Sequence, residues 1–545
     1  MESNSPPQSF RPNAVLTITV LVGIVGAVYL RTMFLGFDLW LDEAWLANSI
    51  RVPTLSGMFY FDRFVQTAPP LFLLIERAFT GIVGSGEFAL RFLPWVAGLS
   101  ILLAMAGVLR KLYSFPLVLI GVTLAAANYD AIKYAQQVKQ YSSDLLLSCL
   151  LFALLWSYMT QKTQGTFWTL CLLCSAGVFL SFPAIFFLPV SAIIVLIGNP
   201  VRFAAEPRKG LSIKSLRDTV ILTVVSGVSV ALVLYFFVLP NSDANLTHAW
   251  RNGNLGSGGV LRSLGAFAHN VSELLLPGNG PLMIISYGLV ALCGVGAIRV
   301  ARDALRKDDR ATKILLVVFL PIATAMVASF ARKYPVLRQS RFIIWMLPGV
   351  YVLLLYALEP AWLFAERTAQ RLSPASGRSL LTTMLAIGCV LTVFATIVFL
   401  KRDERSREEV GVALSSLKKQ IEPREPLYVY GALEQQADYY MENLHWRPVQ
   451  VYLGVDGWPC CPRNKWSRVS NPKAMTFEDD VVSFLQSAEN DKVSVLLPSG
   501  KDPRHFTQFM KRITEQFPQF LSSHGWKVTV REEFKNAVLF RAARS

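Results

Sequence analysis

Two adjacent carboxylates, Asp42 and Glu43, sit in the stretch FDLWLDEAWLA, just past the first long apolar run of the chain. A run of about 20 apolar residues is long enough to span a bilayer. Trp40 and Trp45 flank the acidic pair, as aromatic side chains do where a span meets the headgroups. A carboxylate at that depth can still be ionised. It can take a proton from a hydroxyl arriving through water, and a lipid-borne substrate can reach it from the membrane. A solvated pair in a long loop would contain the same residues. Three further clusters hold side chains suited to the same chemistry. TAPPLFLLIERAF, residues 67–79, opens an amphipathic helix at Pro69 and Pro70. YAQQVKQYSSD, residues 134–144, carries Lys139, Tyr141 and Asp144. ARKYPVLRQSRFIIWMLP, residues 331–348, carries Arg332, Lys333, Arg338 and Arg341. A carboxylate base beside fixed cations can deprotonate a hydroxyl and stabilise a departing phosphate. Each residue also has a plainer use. Lys139 and Arg341 can snorkel at helix ends, and Arg332 and Lys333 suit lipid headgroups. Asp144 can cap a helix, Pro69-Pro70 can simply start one, and Tyr141 and Trp345 fit an interfacial belt.

The elements that must position these groups are membrane spans. Of 545 residues, 53% are hydrophobic and only 17% charged, the composition of a polytopic helical membrane protein. Length and hydropathy predict about eleven spans, near 13–34, 87–109, 115–132, 143–160, 167–180, 182–198, 218–239, 281–299, 313–331, 342–358 and 379–400. The polar opening MESNSPPQSFRPN and the uninterrupted run behind it read as a retained first span. The net charge of +16 then follows from basic residues in alternate short loops, so nucleic acid is not an expected partner. With the N-terminus cytoplasmic, the loops 35–86 and 240–280 and the C-terminus face outward, at what reads as a bacterial inner membrane. Within the second loop, GVLRSLGAFAHNVSELLLP predicts an amphipathic helix on the membrane. Residues 1–401 thus form the membrane domain. Residues 402–545 read as a soluble α/β domain with a mainly parallel sheet, without a phosphate-binding glycine loop. Cys149, Cys171, Cys174, Cys293 and Cys389 lie in apolar segments and read as packed thiols. Cys460 and Cys461 are adjacent in the polar region, as two thiols or a vicinal disulfide. No two histidines have metal-ligand spacing, and His248 and His269 beside Asp243 and Glu273 make a poor metal site.

Taken in order, these motifs resemble the GT-C superfamily of membrane glycosyltransferases, nearest to protein O-mannosyltransferases, lipid A aminoarabinose transferases and rhizobial lipopolysaccharide sugar transferases. The matches are Asp42-Glu43 in the first loop, Pro69-Pro70-Leu71, GSGEFALRFLPWVAGL at 84–99, Lys139 five positions before Asp144, and Arg341-Phe342 through Leu347-Pro348. The chain departs from the family pattern at Ala68, where His or Lys is common, and at Lys139, where Arg is common. The resemblance covers residues 13 to about 400. It implies inverting transfer of a sugar, hexosyl or pentosyl, from a polyprenyl-phosphate donor to a hydroxyl of a cell-envelope glycan, lipid or protein on the outer face. It implies Asp42 as the base with Glu43 as orienting partner or second acid. Lys139, Arg338 and Arg341 would meet the donor phosphate, and Asp144, Tyr141, Pro69 and Pro70 would line the substrate site. It names no certain cofactor and leaves room for a divalent cation bridging acid pair and phosphate. A transporter or flippase of lipid-linked sugars is the alternative. It would place charges near the midplane with internal repeats, whereas here the charges gather on one face.

Overall fold

The computed structural model describes residues 14–60, 68–198, 212–241, 260–277, 281–331, 333–337, 339–373, 377–402, 409–446, 448, 451–453, 468–469, 477–499, 507–535 and 537–545. Arg332, Arg338, Asp243, His248, Cys460 and Cys461 lie outside the described residues.

Seven helices among the described residues are long and apolar enough to cross a membrane: Glu87–Arg110, Tyr141–Gln161, Ile213–Val238, Pro281–Leu305, Asp309–Phe330, Ile344–Leu372 and Ser379–Lys401. The first of these, α5 (Glu87–Arg110), has 24 residues, or about 36 Å at about 1.5 Å per residue, against an apolar core of about 30 Å. Four of the expected spans appear as shorter apolar helices of 10–17 residues. They are α1 (Ala14–Leu30), α6 (Phe115–Ala127), α9 (Gln164–Leu180) and α10 (Leu188–Ile197). The buried side chains of α6, α9 and α10 pack into one core with α5, α8 (Tyr141–Gln161) and α16 (Leu347–Leu372), which includes Trp345, Tyr351 and Phe167. Ala27 and Leu30 of α1 join a separate cluster with Ala126, Ile132, Val393 and Leu400.

Two expected spans break, and both breaks serve the site. The span expected at 115–132 ends at Ala127, because Asn128 leaves the helix and caps the next one. Its Oδ1 accepts the N–H of Ala131 at 2.9 Å, and its Nδ2 donates to Leu274 O at 2.7 Å. The short helix α7 (Tyr129–Tyr134) follows, then a buried turn that carries Lys139 into α8. The span expected from 342 begins instead at Leu347, after two 3-10 turns, Ser340–Phe342 and Ile344–Met346. Pro348 at the helix start accounts for that boundary, since its missing N–H costs nothing in a first turn. The first loop folds into α2 (Leu41–Arg51), α3 (Leu55–Phe59) and α4 (Pro70–Val83), and Pro70 starts α4 as expected. The amphipathic helix of the second loop, α12 (Val260–Leu275), packs its Asn270, Val271, Ser272 and Leu274 face onto the protein.

The C-terminal part is a six-stranded sheet in the order β3-β2-β1-β4-β6-β5. The strands are β1 (Leu427–Val429), β2 (Val451–Leu453), β3 (Arg468–Val469), β4 (Lys492–Leu497), β5 (Trp526–Phe534) and β6 (Ala537–Arg544). The first four pair in parallel, while β4–β6 and β5–β6 are antiparallel. The sheet is therefore mixed. Two residues between β5 and β6 leave room for a hairpin and for nothing else. Helices α18 (Val410–Gln420) and α19 (Glu434–Asn443) cover one face and share a buried cluster with α2 and α4. That cluster joins Leu39, Ala44, Ala47, Ile50 and Phe72 to Leu414, Leu417, Ala437, Tyr440 and Leu539. The sheet domain and the first loop therefore have one hydrophobic core.

Inside this domain Arg541 grips Glu425 through both oxygens, at 3.0 and 2.7 Å, and Glu425 is fully buried. Burial alone would raise the Glu425 pKa; hydrogen bonds from Arg541 and Ser494 outweigh it and hold the group below its ordinary 4.5. Its stabilising effect is full above pH 4.5 and is lost as pH falls through the depressed value. We expect Arg541→Leu to cost the domain about 3–5 kcal/mol by leaving a buried carboxylate unpaired. It should also weaken the acid destabilisation below pH 4.5, measured by denaturant midpoints across pH. An unchanged midpoint at pH 7 would show that the pair contributes nothing.

Candidate active site

The site is assembled by one buried arginine. Arg91 lies in the second turn of α5 and is only 3% exposed. Its guanidinium donates to Glu43 through Nε at 2.9 Å and Nη2 at 2.8 Å. The same group donates to the carbonyls of Phe34, Leu35, Phe37 and Asp38 at 3.2, 3.0, 2.6 and 3.2 Å. Glu43, 1% exposed, also accepts the N–H of Val138 at 2.7 Å and of Trp40 at 3.3 Å. Four donors occupy the four lone-pair positions of that carboxylate. With those positions taken, the geometry of Glu43 suits the orienting partner of the two roles expected for it. It fixes the first turn of α2 against the turn that carries Lys139.

Asp42, one residue earlier, points elsewhere. It is about one-fifth exposed, and Oδ2 accepts Arg341 Nη1 at 3.1 Å. Arg341 sits on the 3-10 turn before α16, with its guanidinium carbon 6.0 Å from the Tyr141 ring and 5.3 Å from the Phe342 ring. Burial alone would depress the Arg341 pKa, but Tyr141, Tyr134 and Asp42 outweigh it and raise the pKa. Lys139 is 8% exposed. Burial lowers its pKa, Asp42 and Glu43 pull it up, and Arg341 pushes it down. Asp42, Lys139 and Arg341 thus form one electrostatic cluster from three separate segments of the chain.

The same segments carry buried polar atoms with no hydrogen-bond partner among the described residues: Asp130 Oδ2, Gln137 Oε1, Ser142 Oγ, Asp144 Oδ1 and Arg341 Nε. Asp144 is 4% exposed and lies near Ser181. Tyr141 begins α8 and stacks obliquely on Tyr134, centroids 4.7 Å apart. Asp130, on α7, interacts with Ser340, Lys133, Glu273 and Arg341, and burial raises its pKa. Pro69 and Pro70 are buried where α4 begins. The structure brings them beside α2 as packing groups, with no polar role. Among the described residues no three His, Cys, Asp or Glu side chains gather in a metal-holding group.

Arg91 lies within GSGEFALRFLPWVAGL and is not among the residues expected from the sequence. The available signal was an ionisable side chain inside a predicted span, which is costly unless it has a task. The same signal marks Asp130, inside the expected span 115–132, and Arg31, fully buried at the end of the first. Arg31 clamps α1 to α5 and α6 by donating to the carbonyls of Gly98, Ala125 and Ala126 at 2.9, 2.9 and 3.1 Å.

Residues 67–237 match the family model described as dolichyl-phosphate-mannose-protein mannosyltransferase. That stretch holds Pro69, Pro70, Arg91, Lys139, Tyr141 and Asp144, while Asp42 and Arg341 lie on either side of it. The fold is similar to the crystal structure of ArnT from Cupriavidus metallidurans in the apo state, at TM-score 0.53 and 12% identity over 97% of each chain. The structure of ArnT from the same organism bound to undecaprenyl phosphate aligns at TM-score 0.49 and 12% identity over 97% of each chain. No curated protein sequence matches the chain. The architecture is accordingly the fold of that apo structure, a set of apolar membrane-length helices followed by a C-terminal sheet.

Glu43→Gln should lower the thermal midpoint sharply, because it leaves the Arg91 charge buried without a counter-ion, a loss of about 3–5 kcal/mol. Asp42→Asn should leave the midpoint close to that of the unaltered protein. Differential scanning fluorimetry in detergent separates the two, and equal shifts would mean that the neighbours have the same work.

Proposed function

We propose that this protein is a membrane glycosyltransferase that moves a sugar from a polyprenyl-phosphate donor to a hydroxyl acceptor at the extracytoplasmic face. The observation that carries this reading is the charge balance of the cluster: one carboxylate, Asp42, faces two cations, Lys139 and Arg341, at a partly buried site. The surplus positive charge suits a phosphate, and the carboxylate suits a hydroxyl. The acceptor oxygen forms a bond to the anomeric carbon as the bond from that carbon to the phosphate oxygen breaks. Asp42 takes the acceptor proton, the electron pair leaves with the lipid phosphate, and the configuration inverts. Lys139 and Arg341 stabilise the growing phosphate charge, where a charge-assisted hydrogen bond is worth about 1.5–3 kcal/mol. The unpartnered polar atoms of Asp130, Gln137, Ser142 and Asp144 would give a sugar ring its hydrogen bonds. The family-model match and the GT-C fold support the same reading. Arg338, outside the described residues, is a further candidate for the phosphate. A divalent cation near Asp42 is also part of the proposal's scope, as an additional neutraliser of the phosphate.

Purified protein in nanodiscs with a polyprenyl-phosphate-sugar mixture tests this. Asp42→Asn should abolish transfer. Lys139→Ala and Arg341→Ala should each reduce donor use roughly ten- to a hundredfold, at 1.36 kcal/mol per decade. Near-normal turnover by Asp42→Asn would remove the base from the mechanism.

The lowered Lys139 pKa gives a second test. A cation needed for donor binding is present at low pH and is lost as pH rises through that lowered value. The donor KM should therefore rise toward alkaline pH sooner than an ordinary lysine would allow. Lys139→Arg, which stays charged, should move that limb upward. Identical profiles for the two proteins would exclude Lys139 from the phosphate site.

A further inference from the structure

The segment that carries Asp42 is held from two sides, and only one of them is the membrane domain. From below, Arg91 binds the carbonyls of Phe37 and Asp38 and the Glu43 carboxylate. From above, the sheet domain binds the residue between those points, Leu39. The Tyr440 hydroxyl accepts the Leu39 N–H at 2.6 Å, and Gln436 Nε2 donates to the Leu39 carbonyl at 2.9 Å. Both side chains come from one face of α19, four residues apart, so their separation matches one helical turn. Leu39 itself is fully buried in the shared core.

Neighbouring contacts make this pincer part of a broad grip. The Asp38 carboxylate accepts the N–H groups of Gly411 and Val412 at 2.7 and 3.2 Å, which caps the start of α18 from another domain. A Cβ at Gly411 would stand 2.6 Å from the Tyr440 ring, so the glycine lets α18 lie against the tyrosine that reaches Leu39. Farther along α2, Asn48 Nδ2 donates to Gln435 O and Oε1, each at 2.9 Å. Arg51 lies 4.0 Å over the Tyr439 ring at the end of the helix.

We infer that the sheet domain is a structural half of the active site, with Tyr440 and Gln436 as positioning residues that hold Leu39 and thereby aim Asp42 at Arg341 and Lys139. This rests on the reading of Asp42 as the base. The backbone at Leu39 lies just before the helix, so without the pincer its own N–H and carbonyl lose these partners, and the segment is held by Arg91 at 37, 38 and 43 and by the Asp38 cap on α18. Leu39 is three residues from Asp42, so a small rotation there moves the carboxylate away from its partners. A displacement of about 1 Å at a reacting group can cost about a hundredfold in rate. The donor phosphate, by contrast, is met by Lys139 and Arg341, which stand on other segments. Loosening the pincer should therefore reduce turnover and leave donor affinity in place.

The test uses the full chain in nanodiscs, with Tyr440→Phe, the double variant Tyr440→Phe/Gln436→Met, and Tyr439→Phe. The last removes a hydroxyl from the same domain interface, where it donates to Ser85 O at 2.8 Å, and does not touch Leu39. Amide hydrogen exchange over 38–45 and steady-state transfer from a polyprenyl-phosphate sugar are read on each. The expected result is faster exchange at Leu39 through Ala44 in both Tyr440 variants. In the double variant kcat should fall by about one to two orders of magnitude, with donor KM within a factor of about three. Tyr439→Phe should change neither. Unchanged exchange at Leu39 in the double variant, or faster exchange with normal kcat, overturns the inference. Asp42→Asn run in parallel separates the two claims. Normal turnover there beside a slow double variant sinks the base and leaves the pincer; the reverse pattern sinks the pincer and leaves the base.

Discussion

A guanidinium buried among carbonyls and one carboxylate is the constraint on which the site depends. Moving a charge out of water costs several kcal/mol per ion even after relaxation, so Arg91 is tolerable in α5 only with every contact made. It has six acceptor atoms: the loop carbonyls of Phe34, Leu35, Phe37 and Asp38 and both oxygens of Glu43. The requirement runs both ways. Without the arginine, the carbonyls of Leu35, Phe37 and Asp38 would lose a charged donor inside the protein, and an unpaired buried carbonyl is unfavourable. Satisfying the arginine therefore folds the loop, and folding the loop sets the first turn of α2. Through Val138, the same carboxylate sets the turn before α8. One interaction joins the acid-bearing segment to the lysine-bearing one.

This division of labour explains why two adjacent acids behave so differently. Glu43 is saturated and buried, while Asp42 keeps one oxygen outside any pairing with Arg341. A side chain fixed by four donors is stable and inert. A side chain next to it inherits the fixed backbone and keeps its own freedom to react. Preorganisation of this kind orients a carboxylate without consuming its lone pairs.

The membrane architecture was legible from hydropathy because the physical demand is strong: long apolar runs must be helices that span. The positions of Asp42, Lys139, Tyr141, Asp144 and Arg341 near one end of the spans were legible from the same runs. Illegible were the breaks. Asn128 looks like an ordinary polar residue near a span end, and only its two side-chain hydrogen bonds reveal that the helix stops there. The sites of β2 and β3, of three and two residues, have too few side chains to show an alternation. Arg91 was visible as a charge in an apolar run, yet its partners are loop carbonyls, which have no residue type and leave no pattern. The contacts between α19 and Leu39 are likewise made to backbone, so nothing in the Leu39 neighbourhood announces them.

The shared core of α2 and the sheet domain also has a temporal meaning. Leu39 and Tyr440 are 401 residues apart in the chain. At a synthesis rate of about 5–20 residues per second, the first loop waits some tens of seconds for its partner. During that interval the apolar face of α2, with Ala44, Ala47 and Ile50, has no sheet domain to cover it. Assembly of the acid-bearing segment is thus among the last events in the making of the molecule, completed only when β6, with Leu539, closes the core it shares with the first loop.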